Sequence, residues 1–146
     1  MNVQTARSQA PALADGAALH AGRDWRDFQP GIQVHVLRTC KETGTFVAFY
    51  KVAAGTTAAA HIHYGAAESY MISGRIEAAS GKVLLPGDHS FEPNGAHHDA
   101  TYFPEETILF FINYGPIMYL DKDGNCDTMV DFAYMRELAS RPAAPD

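Results

Sequence analysis

The sequence predicts an all-β fold, a small barrel or sandwich finished by one short helix. From residue 23 onward the chain is a succession of short apolar runs cut by Gly and Pro, the pattern of many short strands joined by tight turns. A single stretch, after Asp131, has helical periodicity. A His-x-His pair at positions 61 and 63 lies in a segment that reads as β, where period-two alternation aims both imidazoles at one face.

Residues 1–22 are rich in Ala, Gly and small polar residues and read as a loosely held arm, with Leu13 and Leu19 available to dock on a neighbour. Arg23-Asp24-Trp25-Arg26-Asp27-Phe28 opens the folded part, with Trp25 and Phe28 as anchors. Residues 31–37 alternate as a strand. Lys41-Glu42-Thr43-Gly44 is a hairpin turn leading into a strand over 45–53. A strand over 68–78 has Gly74 inside it. Residues 82–85 run into Pro86-Gly87-Asp88, a turn by its dipeptide chemistry. Residues 107–112 are nearly apolar on both faces and read as a buried strand. Tyr114-Gly115-Pro116 turns the chain into a strand over 117–120, and residues 121–125 close another hairpin. Asp131 is placed to cap a helix over 132–139, with Phe132, Met135 and Ala139 on one side, ended by Pro142 and Pro145. The resulting organisation is a flexible arm over 1–22, one domain over 23–140 and a disordered tail over 141–146.

Composition narrows the function classes. The chain has 146 residues, 47% apolar and 19% charged, ordinary for one globular domain. A net charge of −6 gives no basic footprint for nucleic acid. No run approaches the roughly 18 apolar residues of a membrane span, and the N-terminal residues lack the layout of a signal peptide, so a cytoplasmic protein is expected. Cys40 and Cys126 have neither CxxC spacing nor framework density and read as buried, inert thiols.

His61 and His63 follow Ala58-Ala59-Ala60, small neighbours that leave room for inward imidazoles. His98 lies more than thirty residues downstream, so only a folded sheet or barrel can bring it to the pair. Three imidazoles form a neutral ligand set suited to Zn, Fe, Ni or Cu. His20 and His35 read as packed or surface histidines.

Gly55-(five)-His61-x-His63-(four)-Glu68 with Gly74, then Gly87-(five)-Pro93-x-Gly95-(two)-His98, resembles the two motifs of the cupin superfamily. The resemblance implies a single cupin barrel, a double-stranded β-helix or jelly roll, with one metal held by His61, His63 and His98. Within cupins the segments 60–65, 91–98, 102–106, 114–116 and 121–124 are similar to the acetylacetone-cleaving dioxygenases and to ChrR-type cupins, over roughly residues 30–125. Gly95-x-x-His favours His98 over His97 as third ligand, and His89 reads as a rim or core residue. Many cupins add a Glu ligand seven positions before the motif Gly. Here Glu68 is six before Gly74 and Ala67 takes the expected place, a slip that reverses the face unless a bulge absorbs it. Glu68 therefore stands as the alternative ligand or catalytic carboxylate, and three-His ligation is favoured. Glu92 is the carboxylate expected beside the metal, hydrogen-bonding a ligand or a bound water.

The activity the resemblance implies is oxidative C–C cleavage of a β-dicarbonyl or related ketone with O₂, using one divalent metal per chain, Fe(II) first and Zn or Ni as alternatives. Phe46, Phe49, Tyr70, Phe91, Phe103 and Phe111 are candidates for an aromatic wall. Ala58, Ser69, Ala79, Leu109 and Asn113 stand where those dioxygenases carry larger or charged residues, which implies a larger pocket and a different diketone or an aryl ketone. Two other classes compete: a zinc-binding regulatory cupin, which a fused helical anti-sigma region absent from this sequence would favour, and a non-redox isomerase or hydrolase. A homodimer or homotetramer is expected.

Overall fold

The computed structural model describes residues 24–145, and the arm read over residues 1–22 lies outside them. Among the described residues, fourteen strands and one helix follow in order: β1 (Arg26–Gln29), β2 (Ile32–Thr39), β3 (Phe46–Val52), β4 (Thr56–Ala58), β5 (His61–His63), β6 (Ala67–Ser73), β7 (Ile76–Ala78), β8 (Val83–Leu84), β9 (His89–Glu92), β10 (His97–His98), β11 (Thr101–Phe103), β12 (Thr107–Asn113), β13 (Ile117–Leu120), β14 (Cys126–Val130) and α1 (Phe132–Ser140). They form a six-stranded sheet, β1-β2-β3-β12-β6-β9, and two four-stranded sheets, β10-β5-β13-β14 and β4-β11-β7-β8. Among the described residues these strands pair antiparallel throughout. The fold is the all-β sandwich, finished by one short helix, that the strand pattern predicts.

Alternation decides what enters the core. On β6, Ala67, Ser69 and Met71 are buried while Tyr70 is exposed. On the other strands Val34, Phe46, Ala48, Tyr50, Val52 and Leu109 join Met71 in one apolar cluster. Burying side chains of this size stabilises the fold by about 1.5–3 kcal/mol each.

The expected strand over 68–78 is broken at Gly74. Its φ of 86° favours glycine, and an added Cβ would collide with the Glu106 carbonyl and with Thr107. Thr107 Oγ1 accepts from the Arg75 amide at 3.1 Å and is also 3.1 Å from the Arg75 carbonyl. The chain leaves β6 there and enters a different sheet as β7.

Helix α1 begins at Asp131, whose side chain accepts from the Tyr134 amide at 2.8 Å. Its buried residues are Met135 and Leu138, and Ala139 is exposed, so the inward face is rotated from the one expected. Packing against β2 selects that face. The segment after α1 is tied back: the Ala144 amide donates to the Trp25 carbonyl at 2.7 Å and Arg26 Nε to the Arg141 carbonyl at 2.5 Å. Cys40 is partly exposed and Cys126 exposed, and both are free thiols, which corrects the buried reading. No helix among the described residues is long and apolar enough to cross a membrane.

Candidate metal centre

Strand β5 runs between β10 and β13, and its alternation puts His61 and His63 on one face with Ile62 on the other. Antiparallel pairing sets His98 directly opposite His61, so the third imidazole joins that face. His97 pairs with Ile62 and is exposed. The three rings have centroids 4.9, 5.1 and 5.3 Å apart, and one nitrogen from each lies within 4.8 Å of the others.

The surroundings prepare these nitrogens as ligands. His61 Nδ1 is 3.1 Å from the Ala59 carbonyl. A carbonyl only accepts, so the proton sits on Nδ1 and Nε2 keeps its lone pair. His63 is 1% exposed, and its Nε2 has no hydrogen-bond partner. Leaving a buried polar atom unpaired is costly. Three converging imidazoles, one without any other partner, fit a borderline divalent ion. Burial lowers the pKa of His61 to about 4 and that of His63 to about 3, with neighbouring imidazoles adding to the effect. Both rings are neutral at pH 7, as metal ligation requires.

Glu92 arrives from the six-stranded sheet. Its Oε2 is 3.0 Å from His98 Nε2, and its Oε1 is 3.4 Å from Ser90 Oγ. Ser90 Oγ in turn lies 2.9 Å from Ser69 Oγ. This run of two buried hydroxyls and a half-buried carboxylate ends on the trio. Glu68 is elsewhere: Tyr114 donates to its Oε2 at 2.6 Å, and His89 Nε2 is 3.2 Å from its Oε1. Those two contacts hold its carboxyl below the usual range, with the Tyr114 hydrogen bond the larger cause. Ala67, opposite Glu92 in the sheet, faces inward in its place.

The trio lies in the wall of a cavity of about 330 Å³. Ile32, Val52, Ile76, Leu109, Phe111 and Ile117 supply much of its apolar lining. Of the six aromatic candidates, Phe103 and Phe111 line it. Phe46 is core, Phe49 packs on Phe110, and Tyr70 and Phe91 are 48% and 57% exposed. Tyr50 and Tyr119, which no local pattern marks as pocket residues, take their places. Tyr119 packs on His61 at 5.3 Å, and Phe111 stacks parallel to His63 at 6.4 Å. Both are one strand pairing from recognisable residues, since Tyr119 is the register partner of His61 and Tyr50 that of Leu109. Ala58, Ser69 and Leu109 also line the cavity, whereas Ala79 and Asn113 do not.

Comparison with known proteins gives the family and the fold. A family model described as the ChrR cupin-like domain matches residues 15–118. The chain is similar to an acetylacetone-cleaving enzyme of Acinetobacter johnsonii, 29% identical over 108 residues that make up 70% of this chain and 71% of that protein. The crystal structure of an acetylacetone dioxygenase from the same organism has a TM-score of 0.73 at 25% identity, covering 80% of this chain and 85% of the other. A putative acetylacetone dioxygenase from Methylibium petroleiphilum PM1 gives 0.75 at 24% identity, covering 82% and 90%. A chain of the complex between Rhodobacter sphaeroides SigE and the anti-sigma ChrR gives 0.59 at 16%, covering 77% and 61%. The last two likenesses are of fold.

Proposed function

The chain belongs to the ChrR cupin-like domain family, and we propose that it is a mononuclear metal-dependent dioxygenase cleaving a C–C bond of a β-dicarbonyl or related ketone. The observation that carries this reading is the convergence of three imidazoles, two of them held neutral and one with an unpartnered buried nitrogen, on a largely apolar cavity. Similarity to the acetylacetone-cleaving enzyme supports the reaction class.

His61, His63 and His98 would hold one divalent ion, Fe(II) in this reading. Such an ion, when bound, supplies Lewis acidity toward the carbonyl oxygens and the electrons through which O₂ reacts. Neutral ligands leave its double positive charge uncompensated, which favours an anionic enolate as substrate. Glu92 is the base nearest the trio, and it accepts the acidic proton from the carbon between the two carbonyls. Ser90 and Ser69 hold that carboxylate in position. The apolar walls exclude bulk water and keep electrostatic attraction strong around the anion. One dicarbonyl and one O₂ then give one carboxylate and one carbonyl fragment.

A second reading, a zinc-binding regulatory cupin, is favoured by the ChrR description of the family. Oxygen uptake separates the two. Protein loaded anaerobically with Fe(II) is mixed with aerated buffer and a panel of β-dicarbonyls and aryl ketones. Substrate-dependent uptake above the metal-free and Zn(II)-loaded controls supports the dioxygenase. Uptake at the control level with every compound overturns it.

A further inference from the structure

We propose that Lys82, on the cavity wall formed by the β4-β11-β7-β8 sheet, selects the substrate by pairing with a carboxylate on it, so that the natural substrate is a β-dicarbonyl acid. The proposal rests on the metal-centre reading and deepens it.

Among the described residues, Glu92 and Lys82 are the only acidic or basic side chains besides the histidines that line the cavity. Glu92 is engaged with His98 and Ser90. Lys82 lies immediately before β8 and is exposed. Its ammonium has no ion pair or hydrogen bond among the described residues. Ser80 and Thr101 line the cavity with it. Ser80 Oγ is 3.4 Å from the Lys82 amide, and Thr101 Oγ1 donates to the Asp99 carbonyl at 3.3 Å. Apart from the region of the trio, Ile32, Val52, Ile76, Leu84, Leu109 and Ile117 line this space, so an uncharged diketone finds no use for a second cation there. A cavity of about 330 Å³ is about ten water volumes, room for more than a bare diketone.

Charge balance points the same way. A divalent ion on neutral imidazoles, one carboxylate from Glu92 and one ammonium from Lys82 leave the lined cavity two charges positive. With the enolate's proton on Glu92 the lined cavity carries three positive charges, and an enolate that also carries a carboxylate cancels two of them, the second at Lys82. A monoanionic enolate leaves the lysine unpaired. The exposed side of the pair weakens its attraction through solvent, and an ion pair of this kind contributes to selectivity and on-rate as well as to affinity.

The test uses Zn(II)-loaded protein, so that binding is measured without turnover, and a matched set of probes. These are acetylacetone, succinylacetone (the same diketone with a carboxymethyl group on one terminal methyl) and the methyl ester of succinylacetone. Titration calorimetry gives the three affinities for wild type, Lys82→Met, Lys82→Arg and Lys82→Glu, with thermal unfolding as a check on folding. The expected result is that wild type binds succinylacetone roughly fivefold tighter than its ester, near the upper end for a solvent-accessible ion pair, and that added salt shrinks the ratio. Lys82→Met removes the ratio while leaving acetylacetone affinity unchanged. Lys82→Arg restores most of it, and Lys82→Glu inverts it. A wild-type ratio near one, a ratio unaffected by Lys82→Met, or no binding of any probe overturns the proposal. Intact selectivity in a protein that takes up no O₂ with Fe(II) leaves the Lys82 assignment standing and removes the dioxygenase reading.

Discussion

The Oε2 of Glu92 lies 3.0 Å from the Nε2 of His98, and this contact joins two sheets that share no strand. The carboxylate comes from β9 at the edge of the large sheet, and the imidazole from β10 at the edge of a small one. Folding therefore assembles the base and the ligand cluster together.

Replacing Glu92 by Gln should keep the metal and lose the chemistry. Gln retains a hydrogen bond to His98 but cannot take a proton, so kcat is expected to fall by about 100-fold or more with stoichiometric metal in elemental analysis. Metal lost along with activity would instead make Glu92 a structural support of the site.

Single alanine substitutions at His61, His63 and His98 should each reduce bound metal below stoichiometry. His97→Ala and Glu68→Ala should not, since His97 faces away from the trio and Glu68 is held by Tyr114 and His89. Metal retained in His98→Ala and lost in His97→Ala would reverse the assignment of the third ligand.

The metal-free protein should lose stability on mild acidification. His61 and His63 are lowered from 6.5 to about 4 and about 3 in the folded state. Between those values and 6.5 the unfolded chain binds more protons, so folding stability is complete above about pH 6.5 and declines as pH falls toward 4. Each unit of depression corresponds to about 1.4 kcal/mol, and the urea midpoint is the readout. A midpoint that stays level from about pH 7 to about pH 5 would show that the two rings are not held neutral by burial.

Gly74→Ala should destabilise the fold by about 2 kcal/mol or more, because the new methyl meets backbone and Thr107 side-chain atoms at a positive φ. Thermal unfolding measures it. An unchanged Tm would mean that the β6–β7 break does not depend on glycine.

Much of this was readable before folding because it depends on local spacing. The same-face relation of His61 and His63 needs only period two, and the displacement of Glu68 by Ala67 needs only a count to Gly74. What was not readable depends on register between distant strands. Phe49, Tyr70 and Phe91 were equally plausible as pocket wall until pairing fixed which face of β3, β6 and β9 points inward, whereas Phe46 shares the inward face of β3 with Tyr50 and lies in the core outside the cavity. Tyr50 and Tyr119 entered the cavity by the same pairings, as did the meeting of Glu92 with His98. The rotated face of α1 has a similar origin, since Leu138 rather than Ala139 meets the sheet. Lys82 carries no local signal at all; it matters because β7 and β8 form part of the wall.

The most direct measurement of the central claim is a single turnover of the Fe(II)-loaded protein with isotopically labelled dioxygen and a β-dicarbonyl, followed by mass analysis of the products. The account predicts one carboxylate and one carbonyl fragment per dicarbonyl consumed, with label from O₂ in the carboxylate. Intact dicarbonyl, or a cleaved carboxylate whose new oxygen comes from water, would contradict it.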